Sequence, residues 1–368
     1  MRILQVCSAR TLGGGERHVA ALANRLAERG HDVFVVLAPN SPLANELPNI
    51  PAENIITIRM RNSFDVPSAL RLARVVRERK IEIVHAHLAR DYPLASLSVR
   101  RFAKLVVTRH VLFPLNRLHK FTLARVSSVI AVSNAVESAI KKKRVCDDKK
   151  IQVIPNGIDV TRFVEPLSES DRASVRDVLG VHRAFLVGSV GSLLPIKGHE
   201  DFVRAAAIVR QKRDDVDFVI IGDDEKRNRK HRILIERLVD SLNLNQQVQI
   251  VNWTDDLSKF YRAIDIYVSS SRSESFGLSI AEAMASGRAV VATSTEGAKE
   301  IIEDRKTGVL VPIGDAQKTA DAINALLDDE NERQRLGANA RDESVRRFAI
   351  ERMVEAVERV YLDAVRSG

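Results

Sequence analysis

The stretch Ser271-Arg272-Ser273-Glu274-Ser275-Phe276-Gly277-Leu278-Ser279-Ile280-Ala281-Glu282-Ala283-Met284-Ala285-Ser286-Gly287 decides how the rest of the chain is organised. An apolar run at 264–268 supplies a strand before it, residues 273–277 carry turn chemistry, and Gly287 stops a short helix. Leu278, Ile280, Ala281, Ala283, Met284 and Ala285 lie all round that helix, so it reads as a mostly buried element carrying one carboxylate, Glu282. A carboxylate in such a place needs a partner. Either Glu alone is as well explained by a structural ion pair or a solvated loop. Together, Glu274 before a helix N-terminus that favours anions and Glu282 about two turns further on suit a ligand with both phosphates and sugar hydroxyls.

Working outward, short Val/Ile/Leu runs recur between helical stretches at 3–7, 33–37, 81–85, 105–108, 129–132 and 151–154. A second set stands at 185–190, 218–221, 248–251, 264–268, 289–292 and 309–311. Runs without polar alternation are strands covered on both faces, as in parallel sheets flanked by helices. The class is therefore α/β, with two doubly wound domains. The pattern sets boundaries at 1–165 for the first domain, 166–181 for a polar linker and 182–345 for the second domain. A last helix at 346–368 is expected to pack back across the linker onto the first domain.

With 368 residues, the chain has room for two ordinary domains. No apolar run approaches the roughly 20 residues that span a bilayer, and the first residues go straight into a strand pattern, which predicts a cytoplasmic protein. Cys7 and Cys146 are too few for a disulfide framework. The charge is unevenly divided: residues 1–165 hold 27 Lys and Arg against 14 Asp and Glu, net +13, and the remainder holds 30 against 34, net −4. Between 92 and 136 stand Arg100, Arg101, Lys104, Arg109, Arg117, Lys120 and Arg125 with no acidic residue, and Tyr92, Leu97, Phe102, Leu112, Phe113, Leu118 and Phe121 share the interval. That mixture suits an anionic membrane surface. No RNA-recognition motif accompanies it, and no nucleic-acid partner is expected.

Three further motifs bear on chemistry. Gly13-Gly14-Gly15 follows the first strand and opens a helix, where backbone amides can approach phosphate, but its spacing matches neither the dinucleotide fingerprint nor a P-loop, and a plain tight turn explains it equally well. Lys197, after the strand at 185–190, stands where the carboxyl ends of an open parallel sheet bind ligands. A surface lysine is the bland alternative. His85, His87 and His110 close candidate strands, and with no metal-binding spacing beside them they read as neutral hydrogen-bonding groups, not metal ligands. The acidic pairs Asp214-Asp215 and Asp223-Asp224 read as solvated turns, leaving no carboxylate pair placed to hold a metal.

Glu274 and Glu282 seven residues apart, Gly13-Gly14 with Glu16, His110, the run at 153–159, and Gly191 with Lys197-Gly198 form a set that resembles the retaining glycosyltransferases of family 4 over essentially the whole chain. The resemblance implies the GT-B fold, two Rossmann-like domains facing across a cleft. It implies transfer of a sugar from a nucleoside-diphosphate sugar to a hydroxyl acceptor with retention, without metal or cofactor. By the same resemblance Glu274 contacts the donor sugar and Glu282 the ribose. Lys197, the amides of Phe276, Gly277 and Leu278, and the Gly13-Gly14 loop hold the diphosphate, and His110 faces the transferred sugar. The catalytic set so implied is Glu274, His110 and Lys197. The acceptor expected is a lipid-linked or cell-envelope glycan, on the cytoplasmic face of the membrane.

This chain departs from the pattern at Ser192, where the family carries Arg, at Gly222-Asp223-Asp224, where it carries Gly-Asp-Gly, and at Gly297-Ala298, where a glycine pair is usual. Two rival classes share the fold: a non-catalytic nucleotide-sugar-binding protein and a nicotinamide-dependent oxidoreductase. Intact Glu274, Glu282 and Lys197 argue against the first, and the missing dinucleotide fingerprint against the second.

Overall fold

The computed structural model describes residues 1–99, 103–116, 119–224, 229–254 and 256–367, and divides into two compact units, 1–157 with 350–368, and 158–349. In the first, seven parallel strands lie in the order β3-β2-β1-β4-β5-β6-β7. They are β1 (Arg2–Cys7), β2 (Asp32–Leu37), β3 (Ile55–Thr57), β4 (Ile83–Ala86), β5 (Lys104–Arg109), β6 (Ser128–Ala131) and β7 (Ile151–Val153). The second has six, ordered β10-β9-β8-β11-β12-β13. They are β8 (Phe185–Val190), β9 (Val216–Ile221), β10 (Val248–Val251), β11 (Ile266–Ser269), β12 (Ala289–Thr293) and β13 (Val309–Val311).

Every strand pair is parallel, which explains the unbroken apolar runs: helices cover both faces, so neither face of a strand meets water. The strand β3 escapes the sequence pattern because it is a three-residue edge strand, half-exposed. In each sheet the order reverses once, between β1 and β4 and between β8 and β11, and at such a point the loops leaving the two carboxyl ends diverge and open a crevice.

The expected linker at 166–181 is a correction. Residues Glu169–Val178 form a helix of the second unit, packed on the helix Leu257–Ala263, with Arg172 held to the Ala263 carbonyl at 3.2 Å and to the Asp265 carboxylate at 2.5 Å. Its polar composition reflects a helix lying on the unit's surface. The division between the units falls at Gly157–Ile158 instead. There the Ile158 amide donates to the Phe348 carbonyl at 2.8 Å, so the two ends of the second unit lie side by side.

The last helix begins at Ile350, not 346, because Ala349 is extended and breaks it from the helix Glu330–Phe348. Its buried residues, Ile350, Met353, Val354, Val357, Val360, Tyr361 and Ala364, make one stripe at helical spacing and belong to the core of the first unit. Gly157 permits this packing, since a Cβ there would lie 2.7 Å from Ile350 Cα.

Candidate active site

In the second unit the two strands beside the order reversal, β8 and β11, deliver Lys197 and Glu274 from the loops that follow them. Lys197 Nζ stands 2.6 Å from Glu274 Oε1, and the Ser271 hydroxyl donates to the same oxygen at 2.8 Å. The loops are laced together by the Arg272 amide donating to the Ile196 carbonyl at 2.8 Å and by the Ser270 hydroxyl donating to the Lys197 carbonyl at 3.1 Å. Gly198 makes that approach possible: its φ is +63°, and a Cβ would sit 2.1 Å from the Ser270 carbonyl oxygen.

Beyond Glu274 the chain turns through Gly277, at φ 107°, into the helix Leu278–Ala285. The first amides of a helix have no partner within it and stand at the positive end of its dipole. Glu282 on this helix is partly exposed and accepts a hydrogen bond from Tyr261 Oη at 2.9 Å. A cation, two carboxylates and a helix N-terminus thus occur on neighbouring segments at the carboxyl end of one sheet. Asp224 departs from its solvated-turn reading: it is buried and accepts from the His231 amide at 2.8 Å.

The first unit repeats the arrangement at its own reversal. The loop after β1 carries Gly13 and Gly14, with the Gly13 amide donating to Glu16 Oε2 at 2.9 Å, and opens the helix Gly14–Glu28 that bears His18. Gly15 lies against the ring of His110, the residue after β5, and His87 follows β4. His87 Nδ1 and His110 Nε2 are 3.3 Å apart, and the rings of His18 and His110 meet edge to face with centroids 4.7 Å apart.

Two family models match the chain, one described as Glycosyltransferase Family 4 over residues 12–162 and one described as Glycosyl transferases group 1 over residues 171–343. The chain belongs to the family 4 glycosyltransferases. Among its relatives, it is 27% identical to the N-acetyl-alpha-D-glucosaminyl L-malate synthase of Bacillus anthracis, covering 97% of this chain and 95% of that one. It is 25% identical to the UDP-Gal:alpha-D-GlcNAc-diphosphoundecaprenol alpha-1,3-galactosyltransferase of Escherichia coli, over 91% and 89%. In fold it is similar to Anabaena Alr3699/HepE, solved in complex with UDP and glucose, with a TM-score of 0.87, 23% identity and 98% of each chain covered. The glycosyltransferase therefore has the GT-B fold, two parallel-sheet α/β domains.

Four histidines of this glycosyltransferase, His18, His85, His87 and His110, form one cluster in the first unit. Ring nitrogens of His18, His87 and His110 lie within 4.8 Å of one another, a spacing open to a metal, yet His87 Nδ1 and His110 Nε2 are within hydrogen-bond distance and His87 Nε2 is 2.7 Å from Gln5 Oε1. Burial pushes His18 down to about 4 and holds His85, His87 and His110 well below the ordinary imidazole value, with the neighbouring imidazoles adding to the effect on the last three. They are neutral at neutral pH. Nδ1 of His110 is buried without a hydrogen bond, and such an atom in a native structure awaits water or a ligand, while His18 has the Asn156 side chain beside it. The sequence singled out His85, His87 and His110 but missed His18, whose signal was a histidine at the fifth position of the helix that the glycine loop opens. It also missed Gln5, Tyr261 and Tyr361, which nothing local marks as polar partners.

Acid should unfold the protein early. Between about 4 and 6.5 an unfolded imidazole binds a proton that buried His18 and His199 refuse, as do His85, His87 and His110, so the stability from keeping them neutral is complete above 6.5 and is lost as pH falls. Each group contributes roughly 1 kcal/mol per pH unit over that window. Asp91, raised by burial to about 6, works in the opposite sense but is one group against five. Urea midpoints should stay level from pH 7.5 to about 6.5 and fall from there to pH 5. A flat profile would show that the cluster protonates freely.

Proposed function

We propose that the chain transfers a sugar from a UDP-sugar to a hydroxyl of a lipid-linked or cell-envelope glycan, with retention of anomeric configuration and without a metal or cofactor. The observation that carries this reading is the meeting of Lys197 and Glu274 at the order reversal of the second sheet, with Glu282 on the adjoining helix. The UDP in the names of the Escherichia coli relative and the Anabaena complex, and the diphosphoundecaprenol carrier in the former, support the donor and the acceptor class.

In this reading Glu282 accepts from the ribose hydroxyls and Glu274 from hydroxyls of the donor sugar, with Ser271 and Lys197 orienting it. Lys197, the amides of Phe276, Gly277 and Leu278, and the Gly13-Gly14 loop take the diphosphate, and His110 faces the transferred sugar. As the bond from the anomeric carbon to the β-phosphate oxygen breaks, its electron pair stays on the phosphate, and fixed amides and an ammonium stabilise that charge without reorganising. The acceptor oxygen bonds the anomeric carbon from the same face, and its proton passes to the departing phosphate. Ser192 offers no second cation beside Lys197, so the amides carry more of the developing charge here.

Lys197→Ala should lower kcat by about a hundredfold, because its charge matters most as the leaving group forms. Glu282→Ala should chiefly raise the donor KM, since ribose contacts differ little between ground and transition states. Steady-state kinetics with a UDP-sugar panel, in excess EDTA, checks both. Full turnover of Lys197→Ala at saturating donor, or loss of wild-type activity in EDTA with rescue by Mn²⁺, overturns the reading.

The acceptor class also asks for a membrane-facing surface on the first unit. Leu97, Phe113 and Phe121 are exposed, with Lys120 and Arg125 exposed beside them in sequence. Phe64, Val66 and Leu70 are exposed at the start of the helix Val66–Glu78, which packs on the helix Tyr92–Ser98. Two residues of the expected set are corrected: Tyr92 is buried, its hydroxyl donating to the Thr108 carbonyl at 2.7 Å, and Arg109 is buried and bonds the Phe113 carbonyl. Arg100, Arg101, Phe102, Arg117 and Leu118 lie outside the described residues. Among the described residues no helix is long and apolar enough to cross a membrane, and we place the protein peripherally on the cytoplasmic face. At roughly 1 kcal/mol per basic residue near an anionic surface, binding should be reversible and salt-sensitive. Vesicle co-sedimentation should show retention on anionic but not neutral lipid, and weaker retention of Phe113→Ser/Phe121→Ser/Lys120→Glu. Equal binding to both lipids, or none in low salt, moves the acceptor to a soluble molecule.

A further inference from the structure

Behind His110 runs an unbroken set of hydrogen bonds through the buried heart of the first unit. His110 Nε2 meets His87 Nδ1 at 3.3 Å, His87 Nε2 meets Gln5 Oε1 at 2.7 Å, and Gln5 Nε2 meets Tyr361 Oη at 3.2 Å. Tyr361 Oη in turn meets His85 Nδ1 at 2.6 Å, and His85 Nε2 meets Thr108 Oγ1 at 2.7 Å. Behind His110, the links are Gln5, His85, His87, Thr108 and Tyr361, all fully or almost fully buried, so water cannot complete or reverse a single step.

Proton counting sets the direction. The amide oxygen of Gln5 only accepts, so His87 carries its proton on Nε2; being neutral, it has a bare Nδ1 that must accept from His110 Nε2–H. On the other side the Gln5 amino group donates to Tyr361, whose one proton then goes to His85 Nδ1, and His85 passes its Nε2–H to Thr108. The Tyr361 hydroxyl can also accept from His85, so the His85 and Thr108 links turn independently of Gln5, whereas the His87 and His110 links turn only with the Gln5 amide flipped, which would leave His110 with a buried, unpaired Nδ1–H. His110 Nδ1, at the end of the chain of links, is left as a buried acceptor with no hydrogen bond.

We propose that Tyr361 and Gln5 are positioning residues for His110: the chain of fixed polarity, anchored on the C-terminal helix, holds His110 in the tautomer that leaves Nδ1 bare to accept a hydrogen bond from a hydroxyl of the donor sugar. The proposal rests on the reading of His110 as the residue facing the transferred sugar. It gives the last helix a part in transfer although its own residues need not touch the substrate. A donor hydroxyl bound by an acceptor of fixed orientation needs no rearrangement of the imidazole during transfer.

The test has two readouts. Long-range proton–nitrogen correlation spectra of the full chain labelled with ¹⁵N-histidine, with His110 assigned from the signal lost in His110→Gln, should show His110 and His87 as Nε2–H tautomers in the wild type. In Tyr361→Phe, which keeps the ring and loses only the hydroxyl, both should become mixtures, kcat should fall about tenfold, and the donor KM should stay within twofold. A wild-type His110 protonated on Nδ1, or tautomers unchanged by Tyr361→Phe whatever its activity, overturns the proposal. So does stoichiometric zinc retained through dialysis and lost in His87→Gln, because the metal would occupy the nitrogens that the chain requires. Shifted tautomers with unchanged kcat keep the positioning role and overturn instead the placement of His110 at the transferred sugar. The wild-type spectrum decides the polarity even if the variant fails to fold.

Discussion

A parallel strand can be joined to its neighbour only by a crossover, so all the carboxyl ends of a parallel sheet open on one side. Both sheets of this protein obey that constraint, and in both the strand order reverses once, between β1 and β4 and between β8 and β11. The loops that diverge there hold the residues proposed to carry the chemistry: Gly13, Gly14 and His87 in one unit, Lys197 and Glu274 in the other. Lys197 and Glu274 are 77 residues apart and meet at 2.6 Å because β8 and β11 are neighbours in register.

The two units solve the polar problem of such a site differently. In the second unit the candidate groups are charged and paired with each other, and they keep some exposure, 26% for the Lys197 side chain and 11% for Glu274. In the first they are imidazoles kept neutral by burial and coupled to one another. Neutral rings can be packed at centroid separations of 4.1 to 5.8 Å without the repulsion that protonated ones would suffer. The cost is sensitivity to acid, and the gain is a set of donors and acceptors whose directions are defined.

The last helix explains why the first unit needs the end of the chain. Its apolar stripe is part of the same core as Ile3, Val33 and Val106, and Tyr361 enters that core as a polar group among hydrophobic ones. A buried hydroxyl must find partners, and Gln5 and His85 are the ones present. The unit therefore closes only when residues from both termini have met, a pairing of 356 positions in sequence between Gln5 and Tyr361.

Much of the architecture was legible locally. Unbroken Val/Ile/Leu runs announced strands buried on both faces, the helical pattern at 346–368 announced a last helix, and Glu282 stood out as a carboxylate in an apolar helix. These signals lie within windows of ten to twenty residues, the range over which periodicity operates. Strand order has no such window. The short edge strand β3 was missed because three half-exposed residues make no pattern, and the linker was misplaced because a polar surface helix and a polar linker have the same composition. Sequence alone thus determined which residues would be chemically conspicuous, since burying or charging a side chain is a local choice. The tertiary structure alone decided that Lys197 meets Glu274 and that Tyr361 stands behind His110, because those meetings depend on which strands become neighbours after long crossovers have closed.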